Sequence, residues 1–164
     1  MTFAPEAGTV TLIDFWATWC PPCQGPMAHN QEMLAKHGAE WGDKVKIYGF
    51  SIDNSIEPLK QRINEKGWTS PIQYHVRNGT CQADKLFSFR GIPFCVLLDT
   101  EGKVVFMGHP SQRKFEDDFK TLLDGGKITG AGTTASAGDD DDEEGGSGGK
   151  IMSGAELSGA VKTF

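Results

Sequence analysis

The 164-residue chain predicts an α/β fold: a central mixed β-sheet flanked by α-helices, followed by a disordered acidic C-terminal tail. Three observations carry this. Residues 10–16 are a run of apolar, β-branched and aromatic residues, broken only by Asp14, that leads into Cys20-Pro21-Pro22-Cys23. A buried strand therefore runs into a turn and a helix start. Two further apolar runs, 94–98 and 103–107, bracket Asp99-Thr100-Glu101-Gly102, the pattern of a hairpin. Beyond residue 124 the chain turns to Gly, Ala, Ser and Thr around an acidic run at 139–144, with almost nothing apolar to bury. Such a segment does not offset its ordering entropy.

In chain order, the first eight residues form a short lead-in with neither the apolar stretch of a signal peptide nor a membrane span. The chain so reads as cytoplasmic. After the strand, Pro21 and Pro22 stand where a helix begins, a place that tolerates a missing N–H. Met27 and Leu34 lie on the apolar side of a helix expected to stop near His37-Gly38, with Pro26 inside it as an early kink. Residues 44–53 alternate and then become apolar, as suits a central parallel strand. Residues 55–66 are a helix capped by Asn54 or Ser55 and stopped by Gly67. A short strand with a loop is expected in 68–77, a turn at Asn78-Gly79 and a short helix over 81–89. The closing helix, 111–123, carries Phe115, Phe119, Leu122 and Leu123 at three-to-four spacing. The domain boundaries are 1–124 for the folded unit, 125–149 for a disordered Gly/Asp-rich linker, and 150–164 for a C-terminal segment that is a short helix or disordered.

The net charge is −6, spread unevenly. Residues 1–124 hold 13 Lys+Arg against 15 Asp+Glu, and the last forty hold 3 against 7. Neither a basic patch for nucleic acid nor a Lys-rich amphipathic stretch for a membrane surface is present, so a protein partner is the default. Four cysteines at this length do not make a disulfide-stapled fold, and one Cys-x-x-Cys beside a β-α pattern reads as a redox motif. Structural zinc needs two more ligands, and His29, His37, His75 and His109 are scattered; no metal is expected.

Cys20 falls at the helix start, where free N–H groups and partial positive charge gather. A thiol there loses its proton more readily, and the thiolate is the nucleophile. Cys23, three residues on, is close enough to pair with it as resolver. Pro21 and Pro22 withhold N–H groups that would steady a thiolate, so the acidification of Cys20 is expected to be mild, favouring a reductant. The alternative is a stable disulfide without turnover.

The segment Leu12-Ile13-Asp14-Phe15-Trp16-Ala17-Thr18-Trp19-Cys20-Pro21-Pro22-Cys23 resembles the active-site segment of the thioredoxin superfamily, nearest its TlpA-like, tryparedoxin and nucleoredoxin branches. Arg90-Gly91-Ile92-Pro93-Phe94 and the hairpin after it resemble the second motif of that family. The resemblance, over roughly 9–124, implies a thioredoxin fold and a thiol-disulfide oxidoreductase, most simply a protein-disulfide reductase without a prosthetic group. It implies Cys20 as the exposed nucleophile and Cys23 as the shielded resolving cysteine. Asp14 then relays the proton of Cys23 from beneath it, and Pro93 follows a cis bond that turns the Ile92 backbone toward a substrate strand. Trp19, Pro21, Pro22, Ile92 and Pro93 are the expected docking surface. The implied partners are protein disulfides and an upstream dithiol donor, acting on a monomer. In thioredoxins a lysine pairs with the matching aspartate, and its position falls near Gly49, so Asp14 lacks that partner. Trp16 reads equally as core. Cys95 reads as a buried small apolar residue, and Cys81 as a loop thiol open to a regulatory role. Two other readings remain: an envelope or cytochrome c maturation reductase without its export signal, and a redox-linked interaction module tethered in a larger assembly.

Overall fold

The computed structural model describes residues 3–76 and 87–129, and the backbone of Val161–Thr163. Six strands form one mixed sheet in the order β5-β4-β1-β2-β3-β6. β1 (Val10–Trp16) is buried along its whole length and pairs in parallel with β2 (Val45–Ser51), which pairs in parallel with β3 (Ile72–Val76). On the other side β4 (Phe94–Leu98) runs antiparallel to β1 and to β5 (Val104–Gly108). The last strand, β6 (Val161–Thr163), pairs antiparallel with β3, whereas the sequence suggested a short helix or disorder for 150–164. An open β3 edge offers unpaired backbone groups, and these few residues meet them.

The two β-α-β units step in the same direction across the sheet. Right-handed crossovers therefore place both connecting helices on one face. These are α1 (Gln24–Trp41) and α2 (Ile56–Lys66); α3 (Phe115–Leu123) joins them there. Phe119 meets Trp41 edge to face, ring centroids 5.3 Å apart, in a core shared with Leu12, Met33, Ile47 and Leu97. The opposite face is aromatic: Phe15, Tyr48 and Phe50 pack with Phe3, Phe87 and Phe89. Phe3 alone stands edge-on to Tyr48 and Phe50 at 4.9 and 5.3 Å.

Several boundaries depart from the sequence reading; α3 starts at Phe115 and not at 111, because Pro110–Gln112 forms a separate 3-10 turn. α1 does not stop at Gly38; it runs to Trp41 because that indole is buried, and Gly42 at φ 53° is the terminator, its N–H donating to the Gly38 carbonyl. Pro26 is the third residue of α1, directly after a 3-10 turn at Pro21–Cys23. Its missing N–H falls among those with no intrahelical partner. The folded unit also runs past residue 124: Ile128 packs on the core, and the Thr129 carbonyl accepts from Arg113 Nη1 at 2.8 Å. The hairpin turn forms as expected, Asp99 Oδ1 accepting from the N–H groups of Glu101 and Lys103, each at 2.9 Å. The expected turn at 78–79, most of the helix over 81–89 with Cys81, and the linker from residue 130 lie outside the described residues.

Candidate active site

Cys20 and Cys23 form a disulfide with Cα atoms 5.4 Å apart. Cys20 caps the 3-10 turn in extended backbone, its own N–H donating to the Ala17 carbonyl and its carbonyl accepting from the Cys23 N–H. It is 4% exposed and Cys23 not at all. Cys20 is thus less open than an exposed nucleophile, because its sulfur is bonded to Cys23 and it belongs to a buried cluster with Trp16, Met27, Leu59, Ile63 and Trp68. The rim is open: Pro21 and Pro22 are exposed, and Trp19 is 61% exposed, the one exposed large hydrophobic side chain among the described residues. Trp16 is core and meets Trp68 edge to face at 5.6 Å. Ile92 packs against the disulfide cluster, and Pro93 is buried behind a cis Ile92-Pro93 bond.

Two sets of polar contacts hold the loop that presents Cys20. The buried carboxylate of Asp53, just past β2, accepts from the Thr18 N–H at 3.0 Å, the Thr18 hydroxyl at 2.6 Å and the Ser51 hydroxyl at 2.7 Å. The Asp53 carbonyl is 2.7 Å from His75 Nε2 on β3. Charge-assisted bonds of this kind are the stronger ones. On the other side, Gln24 Nε2 donates to the Cys20 carbonyl at 3.1 Å, and Gln24 Oε1 accepts from Arg62 on α2 at 2.8 Å.

Asp14, on β1 two residues before Trp16, is 1% exposed. The buried stripe of α1 reads Cys23, Met27, Asn30, Met33, the three-to-four spacing that keeps residues on one face. Asn30 Nδ2 donates to Asp14 Oδ2 at 2.9 Å, while Oδ1 has no partner among the described residues. Burial pushes the Asp14 carboxyl up to about 7, and the Asn30 bond pulls back against it. In register beside Asp14 stand Gly49 on β2 and Cys95 on β4. The thiol of Cys95 donates to the Gly108 carbonyl at 3.4 Å and is pushed well up, first by burial and then by Asp14. No group of three or more potential metal ligands occurs among the described residues.

Residues 8–104 match the thioredoxin-like family. The chain belongs to the thioredoxin-like family. Within it, the chain is 33% identical over 98 residues to nucleoredoxin of Danio rerio, a match covering 60% of this chain and 23% of that protein. It is 30% identical over 97 residues to the thiol-disulfide oxidoreductase ResA of Oceanobacillus iheyensis, covering 59% of this chain and 47% of that one. The chain thus spans less than half the length of these curated relatives. Among solved structures, StoA of Bacillus subtilis superposes with a TM-score of 0.54 at 22% identity, covering 71% of this chain and 84% of that one. The thioredoxin domain of a Bacteroides vulgatus thiol-disulfide oxidoreductase does so with 0.56 at 24%, covering 70% and 80%. These likenesses show the shared fold.

The structure thus gathers Cys20, Cys23, Trp19, Pro21, Pro22 and Ile92 at one edge of the helix-bearing face, with Asp14 buried on β1. Sequence reasoning missed Asn30, Gln24, Thr18, Asp53 and Gln73. Asn30 was within reach of it, being an amide seven residues after Cys23 on the same helical stripe.

No helix of the described residues is long and apolar enough to cross a membrane.

Proposed function

We propose that this domain is a thiol-disulfide oxidoreductase working as a protein-disulfide reductase. In the dithiol form the Cys20 thiolate attacks a substrate disulfide, bonding to one sulfur while the other leaves as a thiolate. Cys23 then loses its proton to Asp14 and attacks Cys20, closing the Cys20–Cys23 bond and releasing the second substrate sulfur. Two electrons pass to the substrate, and an upstream dithiol donor returns them. The observation that carries this reading is the Cys20–Cys23 disulfide at the start of α1, with Cys20 flanked by the exposed Trp19, Pro21 and Pro22 and Cys23 fully buried. Reach favours the first as attacker and shielding the second as resolver.

Asp14 suits the relay because burial lifts its carboxyl to about 7 and because it is bonded to Asn30, which shares the α1 stripe with Cys23. Trp19, Pro21, Pro22 and the Ile92-Pro93 segment would receive an extended substrate segment, and a monomer suffices for every step. The direction belongs to a reducing compartment, where a dithiol pool keeps the pair reduced.

The test is the Cys20/Cys23 equilibrium against a glutathione buffer, with turnover of insulin disulfides and Cys20→Ser as control. A potential near ~−270 mV with turnover that vanishes in Cys20→Ser is the expected result. A potential near ~−120 to −180 mV would make the protein an oxidase or isomerase. A pair that never cycles would leave a docking module.

A further inference from the structure

Gln73 is the second residue of β3, 5% exposed, and neither its Oε1 nor its Nε2 has a partner among the described residues. An amide buried with both ends idle is costly, so its placement calls for a reason. Gln73 stands in register with Gly49, and Gly49 with Asp14, so the three occupy one row across adjacent strands on the helix-bearing face. The side chain does not point away from that row. It lies over Gly49, so that a Cβ built there would meet Gln73 Oε1 first and Cδ at 2.9 Å, closer than real Cβ contacts come, with Nε2 at 3.0 Å. Glycine leaves this space open, and the amide fills it one strand spacing, ~4.8 Å, from the Asp14 backbone. In the same row, Asp14 Oδ1 is likewise buried and has no partner among the described residues.

We propose that Gln73 is a positioning residue for Asp14: its amide, laid over Gly49, is the second hydrogen-bonding group of the buried carboxyl, directly or through one water. This rests on the role of Asp14 proposed above. Asn30 already donates to Oδ2, so Oδ1 is the oxygen left to take the proton of Cys23. An amide offers an N–H to the anion and, turned over, an oxygen to the neutral acid. It therefore serves Asp14 in both protonation states without bringing a charge into the core. A lysine in that space could only donate. On its far side Gln73 lines a surface cavity of about 660 Å³ with Ile63, Asn64, Trp68 and Pro71. That gives the row an approach for water separate from the Trp19 rim that a docked substrate would cover.

The groups facing Asp14 from each packed element are few. α1 contributes Asn30 and, two turns up the stripe, Cys23; β4 contributes Cys95; β2 and β3 contribute Gly49 and Gln73; α2 presents Leu59 and Ile63 to the disulfide cluster. With the disulfide closed, Cys95 is the titratable neighbour.

The experiment follows the Asp14 carboxyl carbon by 13C NMR across pH in the oxidised full chain, assigned with Asp14→Asn. Gln73→Leu should raise the Asp14 midpoint by about one unit, a tenfold change, because the bond to the anion is the stronger of the two lost. Gly49→Ala should move it the same way, since the added methyl displaces the amide, and it serves if Gln73→Leu does not fold. Midpoints within about 0.2 units of the parent in both variants overturn the proposal, since a one-unit shift is expected. The pH profile of insulin turnover in Asp14→Asn separates the two claims. If it matches the parent, Asp14 is not the proton acceptor, while the carbon titration still decides what Gln73 does.

Discussion

The two faces of the central sheet are built from alternate residues of the same strands, and they differ in kind. On one, Ile13, Phe15, Tyr48, Phe50 and Val96 pack with Phe3 and Phe87 into an aromatic layer. On the other, Asp14, Gly49, Gln73 and Cys95 cross the sheet in a polar row. Of the five buried side-chain atoms without a partner among the described residues, four are on the helix-bearing face: Asp14 Oδ1, Trp16 Nε1 and both ends of the Gln73 amide. Thr11 Oγ1 is the exception. One face is packed for stability, and the other gives up stability where the chemistry is.

The sharpest way to separate the faces is to empty one. Phe50→Ala removes a fully buried ring from the aromatic layer, and a loss of roughly 3–5 kcal/mol is expected by urea unfolding. The dependence of that stability on pH should stay as in the parent, because nothing titratable in the polar row is touched.

Asp14→Asn does the reverse. The unfolded carboxyl titrates near its ordinary 3.8 and the folded one near 7. Between these values the folded protein holds a proton that the unfolded chain has released. The stability it brings is full below the unfolded value, is lost as pH rises toward 7, and is flat above. A shift of this size corresponds to something on the order of 4 kcal/mol. The parent should lose stability across that window, and Asp14→Asn should lose little, as read from urea midpoints of the oxidised protein at a series of pH values.

A smaller effect is expected at Asp53, which belongs to the loop and not to the row. Asp53→Ala leaves Thr18 and Ser51 without their acceptor. A cost of about 2–3 kcal/mol in unfolding should appear, together with slower reduction of the disulfide by dithiothreitol. If the stability falls and the reduction rate does not change, the carboxylate supports the fold without setting the loop.

Local signals made most of the fold legible. β1 and β4 occupy the predicted residues because each is a short apolar run with clear ends, and Asp99 and Gly102 announce the hairpin turn between β4 and β5. Gly38 reads as a helix end, and Gly42 is the actual one. The burial of Trp41 against Phe119, a contact between α1 and α3, decided it. The pairing of Cys20 with Cys23 was readable from their spacing, and the cis bond before Pro93 from the resemblance. Gln73 and Asp53 were not, since a polar residue in or just past a strand becomes informative only through neighbours far away in sequence, 35 positions for Asp53 and Thr18. The absence of a lysine beside Asp14 could be anticipated; that an amide from the next strand would fill the space could not.

The Asp53 carboxylate joins segments 35 residues apart in sequence, tying the loop before Cys20 to the far end of β2. That contact exists only once β1 and β2 have docked in register, with α1 already folded between them. A newly made or unfolded chain therefore carries an ordinary pair of thiols, as open to air oxidation or mispairing as those of any short peptide. The setting of Cys20 is thus a property of the assembled sheet and not of the Cys-Pro-Pro-Cys stretch alone.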